Sequence, residues 1–269
     1  MPSALVTGAA SGIGLALTQM LLTRGWSVAA VVRTRLPQHD VLDRATRAGR
    51  LRTYNADLAD AAQRRALVEE VSSGEQDLDV FFSNAGVSTG TLQRSPQGHE
   101  LHYEVNCLAP YVLVEGLRPS LAHGAGGQVV HTMSDAFEFA RSFDPDRLSD
   151  PERFRVAFGP YATSKLALAL WSHALVPDLA QQGISMTSVV PRMIRTPMSA
   201  GPGLPALMRP IARVFGKSPE HAAGLLLDAT QAGHPSGSYV RSGRARPLPH
   251  VEQAARVLET VARDAGVHA

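Results

Sequence analysis

The sequence predicts an α/β fold: a single doubly wound domain in which a parallel sheet of about seven strands carries helices on both faces. Three observations lead there. Short β-rich runs alternate with longer amphipathic stretches, the order that builds βαβ units. The strand candidates are nearly continuous in apolar residues, as a sheet covered on both sides allows. The 269 residues contain no internal repeat and no linker-like change of composition, so 1–269 reads as one domain.

The first strand is "SALVT" (3–7), and "TGAASGIG" (7–14) turns it through glycines into a helix near 12–24. "SVAAVVR" (27–33) and "LRTYN" (51–55) follow as strands, each leading into a helical pattern, near 38–48 and 60–72. "LDVFFS" (78–83) precedes a long helical pattern near 98–122, and "GQVVHTM" (127–133) precedes one near 161–182. "ISMTSVV" (184–190), a helix near 218–231 and "GSYVR" (237–241) complete the series. Two stretches interrupt the rhythm, 135–160 and 197–217. Both follow strands, at the carboxyl edge where open α/β sheets bind ligands, so they are expected to wall or cover a substrate site.

Composition narrows the function. Hydrophobic residues make up 44% and charged residues 19%, a globular balance without a disordered signature. The formal net charge is +2 and the arginines are scattered, which excludes a nucleic-acid partner from the expectation. A single cysteine, Cys107, rules out an internal disulfide and reads as core filling, because no partner base is evident. No Cys/His cluster has metal-ligand spacing, so no metal is expected. No apolar run is long enough for a membrane span, and "MPSALVTG" leaves no room for a signal peptide. These features predict a soluble, cytoplasmic protein.

The glycine-rich turn at 7–14 suits close approach of backbone N–H groups to a pyrophosphate at a helix N-terminus. Its place between the first strand and the first helix strengthens that reading. Further along, "YATSK" (161–165) sets Tyr161 one helical turn before Lys165, one of only two lysines in the chain. Five tyrosines and two lysines placed at random would give this spacing about 0.04 times.

The pattern T-G-x-x-x-G-x-G at Thr7–Gly14 resembles the short-chain dehydrogenase/reductase family. Its other motifs follow in order: "NADL" (55–58), "SNAG" (83–86), "VN" (105–106), Ser134 after the fifth strand, "YATSK" and "VVPRMIRT" (189–196). "SPQGHELHYEVN" (95–106) and the terminal "SGSYV" further resemble its retinol-dehydrogenase-like branch. The resemblance implies a Rossmann-type domain that binds a nicotinamide dinucleotide. It also implies a catalytic tetrad of Asn106, Ser134, Tyr161 and Lys165. Ser134 would hold and polarise a substrate carbonyl, Tyr161 would exchange the proton, and Asn106 would support a water leading to the lysine.

A free tyrosine titrates near pH 10, too high for efficient proton exchange near neutrality. Bringing it toward neutrality takes about 3–4 kcal/mol. A cation about 4 Å away at an effective dielectric of 20 supplies about 4 kcal/mol, so Lys165 is expected to lower Tyr161. A compact ammonium aims three donors at one point, as an arginine's broad plane does not. In the family that point includes the nicotinamide-ribose hydroxyls.

By the same resemblance Gly8, Ser11, Gly12, Ile13 and Gly14 carry the cofactor's phosphates. Asp57 and Leu58 flank the adenine, Asn84, Ala85 and Gly86 floor the adenosine side, and Pro191, Ile194 and Thr196 receive the nicotinamide with Tyr161 and Lys165. An NAD-selective site places an acid at the end of the second strand. This chain has Arg33, Thr34 and Arg35 there and no acid until Asp40, which favours NADP(H) over NAD(H). One departure stands out: Arg192 follows Pro191 where the family usually has glycine, and a positive φ there would be costly.

The expected function is an NADP-dependent oxidoreductase moving hydride between nicotinamide and a carbonyl or alcohol. "FEFA", "LPALM" and "VF" suggest a bulky, partly apolar small-molecule substrate. Arg192, Arg195, Arg209 and Arg213 read as solvated residues on a helical lid, with an anionic substrate as the alternative. Two other functions stay open: a non-redox step such as dehydration, epimerisation or cyclisation, and a non-catalytic NADP-binding sensor. A homo-oligomer, dimer or tetramer, and a monomer are both compatible with the sequence.

Overall fold

The computed structural model describes residues 1–123, 126–140 and 143–266. Seven parallel strands occupy the expected places: β1 (Ser3–Thr7), β2 (Ser27–Val32), β3 (Leu51–Asn55), β4 (Val80–Ser83), β5 (Gln128–Thr132), β6 (Ser185–Val190) and β7 (Ser238–Arg241). An eighth, β8 (Arg244–Arg246), folds back antiparallel on β7. The order across the sheet is β3-β2-β1-β4-β5-β6-β7-β8. It runs outward in opposite senses from β1 and β4, so their carboxyl ends flank the crevice where such sheets bind ligands.

Burial explains the apolar strands. Leu5, Phe81 and Val129 enter one hydrophobic core, while their sequence neighbours Val6, Phe82 and Val130 enter another on the opposite face. Side chains alternate across a strand, so a sheet with two covered faces wants no polar positions.

The first helices are α1 (Gly12–Thr23), α2 (Asp40–Arg47) and α3 (Ala61–Gly74). Asp60 caps α3, its carboxylate accepting from the N–H groups of Ala62 and Gln63. The long helix expected over 98–122 is instead four pieces. α4 (Leu101–Tyr103) runs into a π-helical turn (Glu104–Leu108), then α5 (Ala109–Gly116) and α6 (Arg118–Leu121). Pro119 cannot supply an N–H to a continuing helix, which accounts for the break before α6. The π turn coincides with two buried polar anchors. Glu104 pairs with buried Arg64 and accepts from Ser95 Oγ, and Asn106 grips Val87.

The second half carries α7 (Pro160–Gln181), α8 (Pro197–Ala200), α9 (Met208–Phe215), α10 (Pro219–Ala229) and α11 (Ala254–Ala265). The sequence predicts no element over 242–266. Yet Ala254, Val257 and Val261 are buried along α11 at helical spacing, and Tyr103 Oη donates to Asp264 at 2.9 Å. α11 packs on α7 and α5. The stretch 197–217 contains α8 and α9, and 135–160 contains 3-10 turns at Asp135–Phe139 and Pro145–Arg147, with residues 141 and 142 outside the described residues. No described helix is long and apolar enough to cross a membrane.

Candidate active site

A cavity of about 690 Å³ opens along the carboxyl edge of the sheet. Its lining brings together Gly8, Ser11, Gly12, Ile13, Arg33, Thr34, Asp57, Leu58, Asn84, Ala85 and Gly86 at one side. Ser134, Tyr161, Lys165, Pro191, Ile194 and Thr196 line it as well. Residues spread over most of the chain thus meet in one place.

The glycine end fits a dinucleotide. Gly8 and Gly12 have φ of +70° and +53°, open to glycine at no steric cost. A Cβ on Gly8 would stand 3.0 Å from Ala85 Cα, so the turn lies against the loop after β4. Ser11 begins α1 in extended backbone and makes no side-chain cap, leaving the first N–H groups of the helix to face an anion. Thr7 fastens the two loops together: its Oγ1 accepts from the N–H groups of Asn84 and Ala85, both at 3.0 Å. Asn84 Nδ2 returns a bond to Thr7 O at 2.9 Å.

After β2, Arg33 and Thr34 are exposed on the cavity wall. Asp40 begins α2 and is not among the lining residues, while Asp57 accepts from the N–H of Ala59. No acid therefore stands at the end of β2 within the lining.

The chemical end is built on β5 and α7. Gly159 and Pro160 start α7, placing Tyr161 in its first turn and Lys165 one turn on. Ser134 caps the 3-10 turn after β5, its Oγ accepting from Ala136 N at 3.2 Å. The Ser134 hydroxyl lies beside the Tyr161 phenol. Burial pushes that phenol above its ordinary pKa, and the Ser134 hydroxyl pulls the other way. Lys165 is buried, its Nζ donating to Thr132 O at 2.8 Å, and burial lowers its pKa to about 8.

This corrects the electrostatic expectation. The phenol is raised rather than lowered, and no direct Lys165–Tyr161 bond is formed among the described residues. The ammonium is aimed at the β5 carbonyl, a backbone partner that no side-chain motif could reveal. Two further placements differ. Gly14 does not line the cavity. A Cβ there would lie 2.2 Å from Gly8 O, so its part is to let α1 pack against the turn. Asn106 is fully buried behind the wall, its Oδ1 accepting from Val87 N at 2.8 Å and its Nδ2 donating to Val87 O at 3.1 Å. It holds the loop after β4 rather than facing the cavity. The π-helical turn around it had no sequence signal.

Arg192 also lines the cavity, with φ of +66°. Asp135, held above its ordinary pKa mainly by burial, is drawn down by Arg241 and more weakly by Arg192. Phe139, Ala157 and Phe158 from 135–160, and Met198, Leu204 and Met208 from 197–217, supply apolar wall. Val214 and Phe215 do not: they are exposed on the outer side of α9, against the expectation that "VF" faces substrate. Cys107 is buried and its thiol is pushed up by that burial, in keeping with core filling. Among the described residues no His, Cys, Asp and Glu group is arranged to hold a metal.

The family model described as short chain dehydrogenase matches residues 2–143. The chain is 26% identical over 239 residues to human retinol dehydrogenase 14, covering 81% of this chain and 70% of that protein. It is 29% identical over 208 residues to an uncharacterized oxidoreductase of Schizosaccharomyces pombe, covering 73% of this chain but only 61% of that relative's length. Among solved structures, a short-chain dehydrogenase from Sphingobium yanoikuyae in complex with NADPH superposes with a TM-score of 0.68 at 19% identity. That match covers 98% of this chain and 94% of the other, and speaks for the fold.

Proposed function

The chain belongs to the short chain dehydrogenase family, and from that premise we propose that it is an NADP-dependent oxidoreductase acting on a carbonyl or the corresponding alcohol of a bulky, partly apolar substrate. The observation that carries the reading is the meeting of Ser134, Tyr161 and Lys165 on a cavity whose other end is the glycine turn. A bound nicotinamide would supply or accept the hydride. Ser134 holds the substrate oxygen by turning its one hydroxyl proton from the Tyr161 phenol to that oxygen, while Oγ accepts from Ala136 N. Tyr161, kept protonated by burial, gives its proton to that oxygen in the direction of reduction. Lys165, anchored on Thr132 O, would present its remaining N–H donors to the ribose hydroxyls of a bound dinucleotide. Asn106 is a positioning residue, since it fixes Val87 and also donates to Ser164 Oγ.

The preference for NADP rests on Arg33 and Thr34 lining the cavity after β2, where the strand's end carries no acid; Asp57, also in the lining, follows β3. Phe139, Phe158, Leu204 and Met208 support the apolar substrate. The test is NADPH oxidation by wild type and Tyr161→Phe across aldehydes, bulky ketones and quinones. Wild-type turnover falling by about 10²–10⁴ in the variant is the expected result. Turnover that survives the substitution would remove Tyr161 from the proton's path, and conversion without NADPH consumption would point to a non-redox step.

A further inference from the structure

From residue 179 to 219 the chain has five cations, Arg192, Arg195, Arg209, Arg213 and Lys217, and no acid, although the whole chain carries only +2. None of the five forms an ion pair among the described residues. Within this basic stretch lies α9, and its apolar stripe faces outward. Leu207, Ile211, Val214 and Phe215 are 88%, 49%, 66% and 74% exposed. Their spacing, i, i+4, i+7 and i+8, puts them on one face from the residue before α9 to its end. The inner face is spoken for by Ala212, which is buried, and Met208, which walls the cavity. A helix on a globular protein ordinarily turns such a stripe inward, and a contiguous exposed stripe marks an interaction surface.

We propose that α9 is an interfacial helix that docks the protein on an anionic phospholipid surface. Leu207, Ile211, Val214 and Phe215 enter the boundary between headgroups and acyl chains, and exposed Arg213 and Lys217 reach the phosphates. Charge decides the occupant. A second copy pairing through the same face about a twofold axis would set Arg213 and Lys217 against their own copies, with no acid between residues 179 and 219 to answer them. An anionic leaflet meets both the apolar stripe and its basic flank. Where the oxidoreductase reading holds, docking also sets the Leu204 and Met208 side of the cavity next to lipid, the reservoir of apolar carbonyl compounds. The docking itself does not rest on that reading.

The experiment is co-sedimentation of the full chain with vesicles of phosphatidylcholine alone and with about 30% phosphatidylglycerol, at low and high salt. Light scattering of the protein without vesicles and NADPH turnover are recorded separately. Binding to the anionic vesicles that salt weakens is expected. The Ile211→Ser, Phe215→Ser double variant should lose roughly a hundredfold in vesicle affinity with unchanged thermal unfolding. Arg213→Glu with Lys217→Glu should lose at least about tenfold, on anionic vesicles only. The proposal is overturned if the wild type stays in the supernatant with both lipids, or if the apolar double variant binds as well as the wild type. Binding indifferent to lipid charge also overturns it. A dimer in solution that the apolar double variant dissociates, without vesicle binding, would assign the face to a second copy instead. Vesicle binding is read without turnover, so its failure is distinct from failure of the oxidoreductase reading.

Discussion

The turn after β1 and the turn after β6 line the same cavity, and both bring left-handed backbone to it, but only the first does so with glycine. Gly8 and Gly12 sit at φ of +70° and +53°, while Arg192 sits at +66°. For a residue with a Cβ that conformation costs about 1–2 kcal/mol. The first turn is also closed tightly on itself, with Gly14 against Gly8 O and Thr7 tying it to Asn84 and Ala85. The second carries an exposed cationic side chain and leads into the exposed apolar stripe of α9. One turn is relaxed and shaped by what must come close to it. The other bears strain of the kind that concentrates at sites of ligand contact.

Substitutions can break or sharpen this contrast. The largest effect is expected from Gly14→Ala, whose Cβ would meet Gly8 O at 2.2 Å and Asn84 Nδ2 at 2.6 Å. Backbone must shift to admit it, so stability should fall by about 3 kcal/mol in urea unfolding, and NADPH binding should weaken with it. Gly224→Ala is the control, since a Cβ in that part of α10 meets nothing within 4 Å and should stabilise by about 0.5–1 kcal/mol. Equal losses at both positions would show that the close packing of the turn is immaterial.

Next comes Arg33→Ala, which under the proposed NADP preference removes a charge-assisted contact to the 2′-phosphate worth about 2 kcal/mol. The Km for NADPH should rise roughly thirtyfold with that for NADH nearly unchanged. A matching rise for both nucleotides would shift the choice of cofactor away from Arg33.

Lys165 lines the same cavity and supplies a pH test. Its ordinary pKa of about 10.5 is lowered by burial to about 8, so the charged form predominates below that and is lost as pH rises through it. Reduction should therefore decline above about pH 8 if the ammonium is needed, and Lys165→Arg should abolish that limb even in a poor enzyme. Because the unfolded chain holds this proton up to about 10.5, the lysine's contribution to stability rises with pH between about 8 and 10.5. An activity profile flat through pH 9 would show that the charge on Lys165 is not required.

The smallest effect is expected from Arg192→Gly. Relief of left-handed strain, less the added entropy of an unfolded glycine, should stabilise the protein by about 1 kcal/mol. A change in substrate Km alongside it would show that the side chain meets the ligand. A loss of stability would mean that Arg192 makes contacts outweighing the strain.

The seven parallel strands, the glycine turn and the Tyr161–Lys165 spacing follow from the sequence alone, because each is a local pattern. Apolar runs bounded by turns make buried strands, and a residue four places along a helix shares a face. The family membership carried by those motifs is equally local, and residues 2–143 match its model. Other features depended on what the folded chain brings near. The π turn holding Asn106 needs Val87 and the Arg64–Glu104 pair, which meet only across packed elements. Lys165 is directed by a backbone carbonyl on β5, and backbone partners leave no trace in residue type. Burial raised Tyr161 where a lysine one turn away suggested lowering, since desolvation depends on every neighbour and not on one spacing. From the sequence, "LPALM" and "VF" are expected to face substrate, yet Leu207, Val214 and Phe215 face outward. Only the tertiary structure decides which apolar face is covered, because burial is a property of the whole packing and periodicity tells only that a face exists.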